Sequence, residues 1–219
     1  MSGLAIKCAD LDASGTVDAT ALKVAGVDVT ASAGELSILD GVTATAAELN
    51  KLDASLATNL MARGAGVSDA ESYAAGVEQF GSLIVTRIVL DLTGLVGSAT
   101  DLDIIGESAA ADCNWGQVTT AVNGTIIGGL VTCLELPAGG ADDLDFYSAT
   151  VATGTQDVDI TTLTETVLIT SGGAWASGTS KGMTTVPPAD DYLYIVNGEA
   201  AGGTFTAGKF LIQLFGLAS

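Results

Sequence analysis

With 219 residues the chain is long enough for one large or two small domains with a proper core. Its 26 Asp and Glu against 7 Lys and Arg, with no His, give a formal charge of −19, so the folded surface repels duplex DNA, RNA and anionic membranes. The basic residues (Lys7, Lys23, Lys51, Arg63, Arg87, Lys181, Lys209) stand singly, which excludes a clustered nucleic-acid patch, and no apolar run approaches the roughly 18–20 residues that span a bilayer.

The chain opens on Met1-Ser2-Gly3-Leu4-Ala5-Ile6-Lys7, without a basic segment leading into a sustained apolar stretch. No cleaved secretory leader is expected, and synthesis and assembly in a cytoplasm are. Asp10 to Asp18 (DLDASGTVD) matches the first nine positions of an EF-hand calcium loop, which nominates Asp10, Asp12, Ser14 and Asp18 as metal ligands. The bidentate Glu expected at the twelfth position is Ala21, and no long helical pattern flanks the loop, so an Asp/Ser/Gly turn is the competing reading.

Residues 1–82 read as an extended N-terminal arm. Of eleven aromatic residues only Tyr73 and Phe80 lie in the first 80 positions, and a stretch so poor in large side chains cannot bury enough apolar surface to offset its ordering entropy. The arm holds a repeat: residues 29–41 (VTASAGELSILDG) align with 42–54 (VTATAAELNKLDA) at a 13-residue offset with eight identities. In each copy a hydroxyl precedes a glutamate by three residues (Ser32 and Glu35, Thr45 and Glu48), the capping-box pattern of a short helix. Leu36 and Leu39, then Leu49 and Leu52, fall on one face of each helix, a docking surface rather than a core. Two solvent-facing helical turns on the protein's own core are the alternative. Residues 55–63 and 68–80 add further helix, the latter with Ser68 and Glu71 as a third capping box and Tyr73, Val77 and Phe80 as its apolar face.

From Leu83 the texture becomes β. Strands are expected over 83–92, 100–105, 125–136 (interrupted at Gly128-Gly129 and stopped by Pro137), 144–152, 157–163, 165–172, 191–198 and 208–216. Short β-rich runs at regular spacing predict a mainly β chain, with residues 83–219 forming an antiparallel β-sandwich or jelly-roll module. In the last run Phe210, Ile212 and Leu214 alternate with Lys209, Leu211, Gln213 and Phe215, so both faces are largely apolar. Such a strand is either central in a sandwich or pressed against a neighbouring subunit, and Leu211 and Phe215 are the candidate oligomer contacts.

Catalytic signatures are missing. Without histidine, Ser-His-Asp and Cys-His mechanisms are excluded. The glycine-rich stretches at 139–143 and 198–203 lack the Gly-Lys-Ser/Thr ending of a phosphate loop, and no cofactor is expected. The acid clusters Asp142, Asp143, Asp145 and Asp157, Asp159 read as solvated turns rather than paired catalytic carboxylates, as does 186–191. Cys8, Cys113 and Cys133 read as buried or semi-buried free thiols, with a Cys113–Cys133 disulfide as the alternative. Asn123-Gly124-Thr125 is formally a glycosylation sequon.

The tandem TASAGELSILDGVTATAAELNKLD (30–53) resembles the AAELNxLDGVTATAAELN repeats of tailed-phage virion proteins, among them tail fibres and proteins that coat the head. Residues 190–216 look like the closing hairpin of phage head-decoration proteins. The resemblance implies a virion structural protein on the phage head surface, a decoration or cement protein attached to the major capsid protein lattice, often as a trimer, with no catalytic residues. The alternative is a tail-fibre, head-fibre or tail-tip component whose β domain binds a receptor or carbohydrate. A carbohydrate-active enzyme is the third class, disfavoured by the missing acid/base chemistry. The expectation is therefore a non-enzymatic homo-oligomer that contacts neither nucleic acid nor membrane.

Overall fold

Residues 61–218 are described in the computed structural model, with the short strands β1 (Lys23–Val24) and β2 (Val27–Asp28), which pair antiparallel. The chain divides into two units, Met1–Leu49 and Asn50–Ser219. The second contains β3 (Tyr73–Phe80), β4 (Leu83–Asp91), β5 (Val96–Gly97), β6 (Thr125–Ala138), β7 (Leu144–Ala149), β8 (Glu165–Ile169), β9 (Ser180–Gly182), β10 (Tyr192–Asn197), β11 (Gly203–Thr204) and β12 (Ala207–Leu217). Among the described residues one short helix, α1 (Thr120–Asn123), and two 3-10 turns (Ala65–Val67 and Ile160–Thr162) accompany them. The chain is mainly β, and among the described residues every strand pairing is antiparallel.

Period-two patterning explains the layers. In β12 Phe210, Ile212 and Leu214 are buried, while Leu211, Gln213 and Phe215 are half-buried. β12 is the central strand of a five-stranded sheet ordered β3-β4-β12-β6-β9. Its buried side continues through Ile88 and Leu90 of β4 and Val131 and Cys133 of β6. A three-stranded sheet, β10-β7-β8, packs on that side: Phe146 of β7 meets Phe210 at 5.6 Å between ring centroids, and Trp175 stands edge-on to both at 5.9 and 5.4 Å. The Trp175 indole N–H donates to the Leu144 carbonyl at 2.9 Å, so its polar edge is satisfied inside the core. All six residues of β7 are buried. Segments near 104 and 117 pair with the free edge of β10 through bridges from Ile104 to Val196 and Gln117 to Tyr192, and the Tyr194 hydroxyl donates to the Val151 carbonyl.

Several expectations are corrected. Residues 73–80 are a strand rather than a helix, paired with β4 from Tyr73–Leu90 to Phe80–Leu83 across the two-residue turn Gly81-Ser82, where Gly81 has φ +63. Ser68 makes no capping box, because its hydroxyl and the Asp69 amide N–H both donate to Glu107 Oε1 at 2.7 Å. The 100–105 and 157–163 runs are irregular and joined by isolated bridges. Leu102 has φ 65, and Asp159 accepts from the Thr161 N–H to start a 3-10 turn, so local side-chain bonds displace the ladder there. β6 runs unbroken through Gly128-Gly129 and Pro137. Pro137 falls in a bulge between the Ala207–Ala138 and Lys209–Glu135 pairs, where its missing N–H costs no ladder bond. A Cβ on Gly129 would stand 2.5 Å from Met183 Sδ and 2.8 Å from the Gln213 carbonyl oxygen, so the close crossing requires glycine.

Candidate functional site

The face of the five-stranded sheet turned away from the core is the candidate site. Register places Val89, Leu211 and Thr132 in one row across β4, β12 and β6, then Arg87, Gln213 and Leu130, then Val85, Phe215 and Gly128. Phe80, Leu83 and Leu217 close the end near the β3–β4 turn. Phe80 is 66% exposed. Leu83, Val89 and Leu217 are also exposed, an apolar area that a solvated sheet face does not ordinarily carry.

The charges on this face are paired. Arg87 meets Glu78 at 2.7 Å, and Lys209 lies 3.0 Å from both Asp91 and Glu135. Asp91 is 1% exposed and also accepts from the Thr93 amide and hydroxyl at 3.0 and 2.7 Å. Burial works against its carboxylate, but the Thr93 and Lys209 hydrogen bonds outweigh burial and hold its pKa below the usual range. Hydrogen bonds to Glu135 and Asp91 push Lys209 upward. Two of the seven basic residues thus neutralise acids on one face of a chain carrying −19. An apolar, nearly neutral surface on so acidic a molecule can approach another protein without the repulsion that the remaining surface imposes.

No family model matches the chain, and no curated protein or solved structure matches it. The functional reading therefore stands on the residues and their arrangement.

The structure places the oligomer candidates Leu211 and Phe215 side by side with Val89 and Val85 on this face. Leu36, Leu39, Leu49 and Leu52, the candidate ligands Asp10, Asp12, Ser14 and Asp18, and Cys8 lie outside the described residues. Cys113 and Cys133 are buried free thiols, not a disulfide. Asn123 is fully buried, its amide donating to Thr86 Oγ1 at 2.8 Å and accepting from the Thr119 N–H, so the sequon is closed to a glycan. Two surface cavities of about 250 Å³ flank α1, one lined by Val118, Ile126, Val186 and Pro187 and the other by Met61, Gln117, Thr119 and Tyr192; neither lining contains a carboxylate, a basic group or a thiol. Among the described residues no helix is long and apolar enough to cross a membrane.

Sequence reasoning missed the contribution of β3 and β4. Phe80, Leu83 and Val89 extend the face well beyond β12, and the signal was the Gly81-Ser82 pair between two apolar runs, a hairpin turn that directly follows the 68–80 run read as helix. The solvated-turn reading of Asp143, Asp145 and Asp191 is also corrected, since all three are buried and Asp191 accepts from Ser148 Oγ at 2.8 Å.

Proposed function

We propose that this chain is a structural protein of a phage-like particle, a decoration or cement protein that binds the outside of the capsid, and that its copies associate through the outer face of the five-stranded sheet as a trimer. The observation that carries self-association is the contrast between that apolar, charge-paired face and a chain of formal charge −19. Identical acidic chains repel one another, so they can meet only where charge is neutralised and enough apolar area leaves water, at roughly 25 cal/mol per Å². Association with a particle rests on the tandem repeat at 30–53 and its resemblance to virion proteins. Leu36, Leu39, Leu49 and Leu52 supply the apolar stripe that meets the capsid lattice.

Copy number on purified particles tests the reading. Hundreds of copies per particle, lost when the four arm leucines are replaced by serine, are expected of a lattice decoration. A dozen or fewer copies would assign the chain to a tail or fibre, and absence from particles would refute a virion role.

A further inference from the structure

Two acids at the start of β7 are buried together. Asp143 and Asp145 flank Leu144, and residues two apart on an extended strand point to the same side. They are 8% and 5% exposed. Gly198, immediately after β10, closes over them: its N–H donates to the Asp143 carbonyl at 2.9 Å. A Cβ on Gly198 would stand 2.8 Å from Asp143 Oδ1 and 3.2 Å from Asp145 Oδ1. Both carboxylate oxygens therefore crowd the same side of Gly198, where any side chain would collide with them.

The protein provides too few positive partners for them. Asp145 Oδ1 accepts from the Ser171 N–H, but the buried Asp143 Oδ1 has no donor among the described residues. Lys181 acts on Asp145 through space, yet its ammonium donates to Ser171 O and Oγ at 2.6 Å each, lies 4.5 Å over the Trp175 ring, and forms no ion pair with either acid. Burial pushes the Asp145 pKa up, and the Asp143 and Asp101 carboxylates add to it against the Ser171 amide and Lys181. Two carboxylates held together out of water must share a proton or hold a cation.

The neighbouring acids Asp142 and Glu199 also oppose each other: Glu199 pushes the Asp142 pKa up, while the Asp142 amide N–H donates to Glu199 Oε1 at 3.1 Å and helps hold the Glu199 pKa down. Asp143 Oδ1 has no such donor, and it lies with Asp145 Oδ1 against Gly198. We propose that Asp143 and Asp145 bind a calcium ion at the β7–β10 end of the sandwich, with main-chain carbonyl oxygens and water completing the shell. Oxygen-only ligands select a hard cation, and a buried site favours calcium over magnesium, which gives up its water reluctantly. Among the described residues no group of three or more Asp, Glu, His or Cys side chains is placed to hold a metal. With two carboxylates the affinity belongs to the weak class, with a dissociation constant of about 10⁻⁴–10⁻³ M.

The test uses the full chain, stripped with a chelator and unfolded thermally in calcium, magnesium or sodium chloride at matched ionic strength. Calcium should raise the midpoint by about 3–6 °C more than magnesium. Terbium should bind with luminescence excited through tyrosine, Tyr147 being the next residue on that face of β7, and calcium should displace it. Asp143→Asn and Asp145→Asn should abolish the calcium-specific rise, whereas Asp12→Asn and the surface change Asp157→Asn should keep it. Equal rises in calcium and magnesium would mean only screening of an acidic chain and would overturn the proposal. So would a calcium-specific rise that survives both Asn variants and vanishes with Asp12→Asn, which would place the ion in the Asp10–Asp18 loop. Should the Asn variants fail to fold, calcium-displaceable terbium luminescence from the unmodified and Asp12→Asn chains still decides, and its absence from both refutes the site.

Discussion

A carboxylate placed in the middle of the apolar sheet face should dissociate the assembly while leaving the sandwich folded. Leu211 is the position to change, since it lies on the central strand between Val89 and Thr132 and is half-buried in the single chain. Full burial of a leucine side chain is worth about 1.5–3 kcal/mol, and because the sheet already covers part of it, roughly 1 kcal/mol remains to be gained when a second copy covers the rest. Leu211→Asp forfeits that gain and adds an unpaired carboxylate in a closing interface, a penalty of several kcal/mol. A combined loss of about 3 kcal/mol per contact weakens association more than 100-fold. Sedimentation velocity at micromolar concentration in moderate salt should show an oligomer for the parent and a monomer for Leu211→Asp. Val151→Asp, at an exposed valine outside the five-stranded sheet, should sediment as the parent does. Salt should strengthen the parent assembly by screening like charges. A parent that sediments as a monomer, or a Leu211→Asp variant as associated as the parent, would refute the assignment of this face.

Acid should expose the role of Asp91. Its pKa is depressed in the folded state, so its contribution to stability is complete above the unfolded value of about 3.9 and is lost as pH falls through the lower folded value. Urea midpoints should therefore fall less steeply below about pH 4 in Asp91→Asn than in the parent, with the variant less stable by roughly 1–3 kcal/mol at neutral pH. Burial pushes the Cys113 thiol up to about 11, so in a Cys8→Ser chain a thiol reagent at neutral pH should label Cys113 and Cys133 only at the rate of unfolding; prompt labelling would contradict their burial. Gly129→Ala should cost about 1–3 kcal/mol, read from chemical denaturation, because the Gln213 carbonyl cannot move away without disturbing β12.

Much of the sandwich was legible because its strongest signals are local. β4, β6, β7, β8, β10 and β12 are dense in β-branched or aromatic residues, and the alternation in 209–215 placed β12 in the sheet with the correct faces. β3 was misread because Ser68-to-Glu71 spacing and the Tyr73, Val77 and Phe80 pattern satisfy helical periodicity as well as a strand does; Ala74, Ala75 and Gly76 carry little β preference of their own. Pairing with β4 decides the matter, a long-range contribution that no local window contains. The same limit applies to Pro137, whose breaker role vanishes because its own strand, β6, bulges there against β12.

The candidate sites divide along the same line. Leu211 and Phe215 could be nominated because an apolar residue on the second face of a strand is visible in alternation alone, whereas their neighbours Phe80 and Val89 required the strand order. Buried acids are harder still. Asp142, Asp143 and Asp145 are chemically alike in the sequence, yet Asp142 is exposed while Asp143 and Asp145 are enclosed by Gly198, Ser171 and the turn after β10. An aspartate beside a turn is ordinarily solvated, because removing an unpaired carboxylate from water costs several kcal/mol. Where the fold nevertheless encloses two of them, that cost identifies a position where a compensating charge belongs. Asp91 receives its charge from Lys209, a partner more than a hundred residues away in the chain, whereas Asp143 receives none from any described residue. The difference between a structural ion pair and a place for an external cation therefore lies in which distant residue the topology brings opposite each acid.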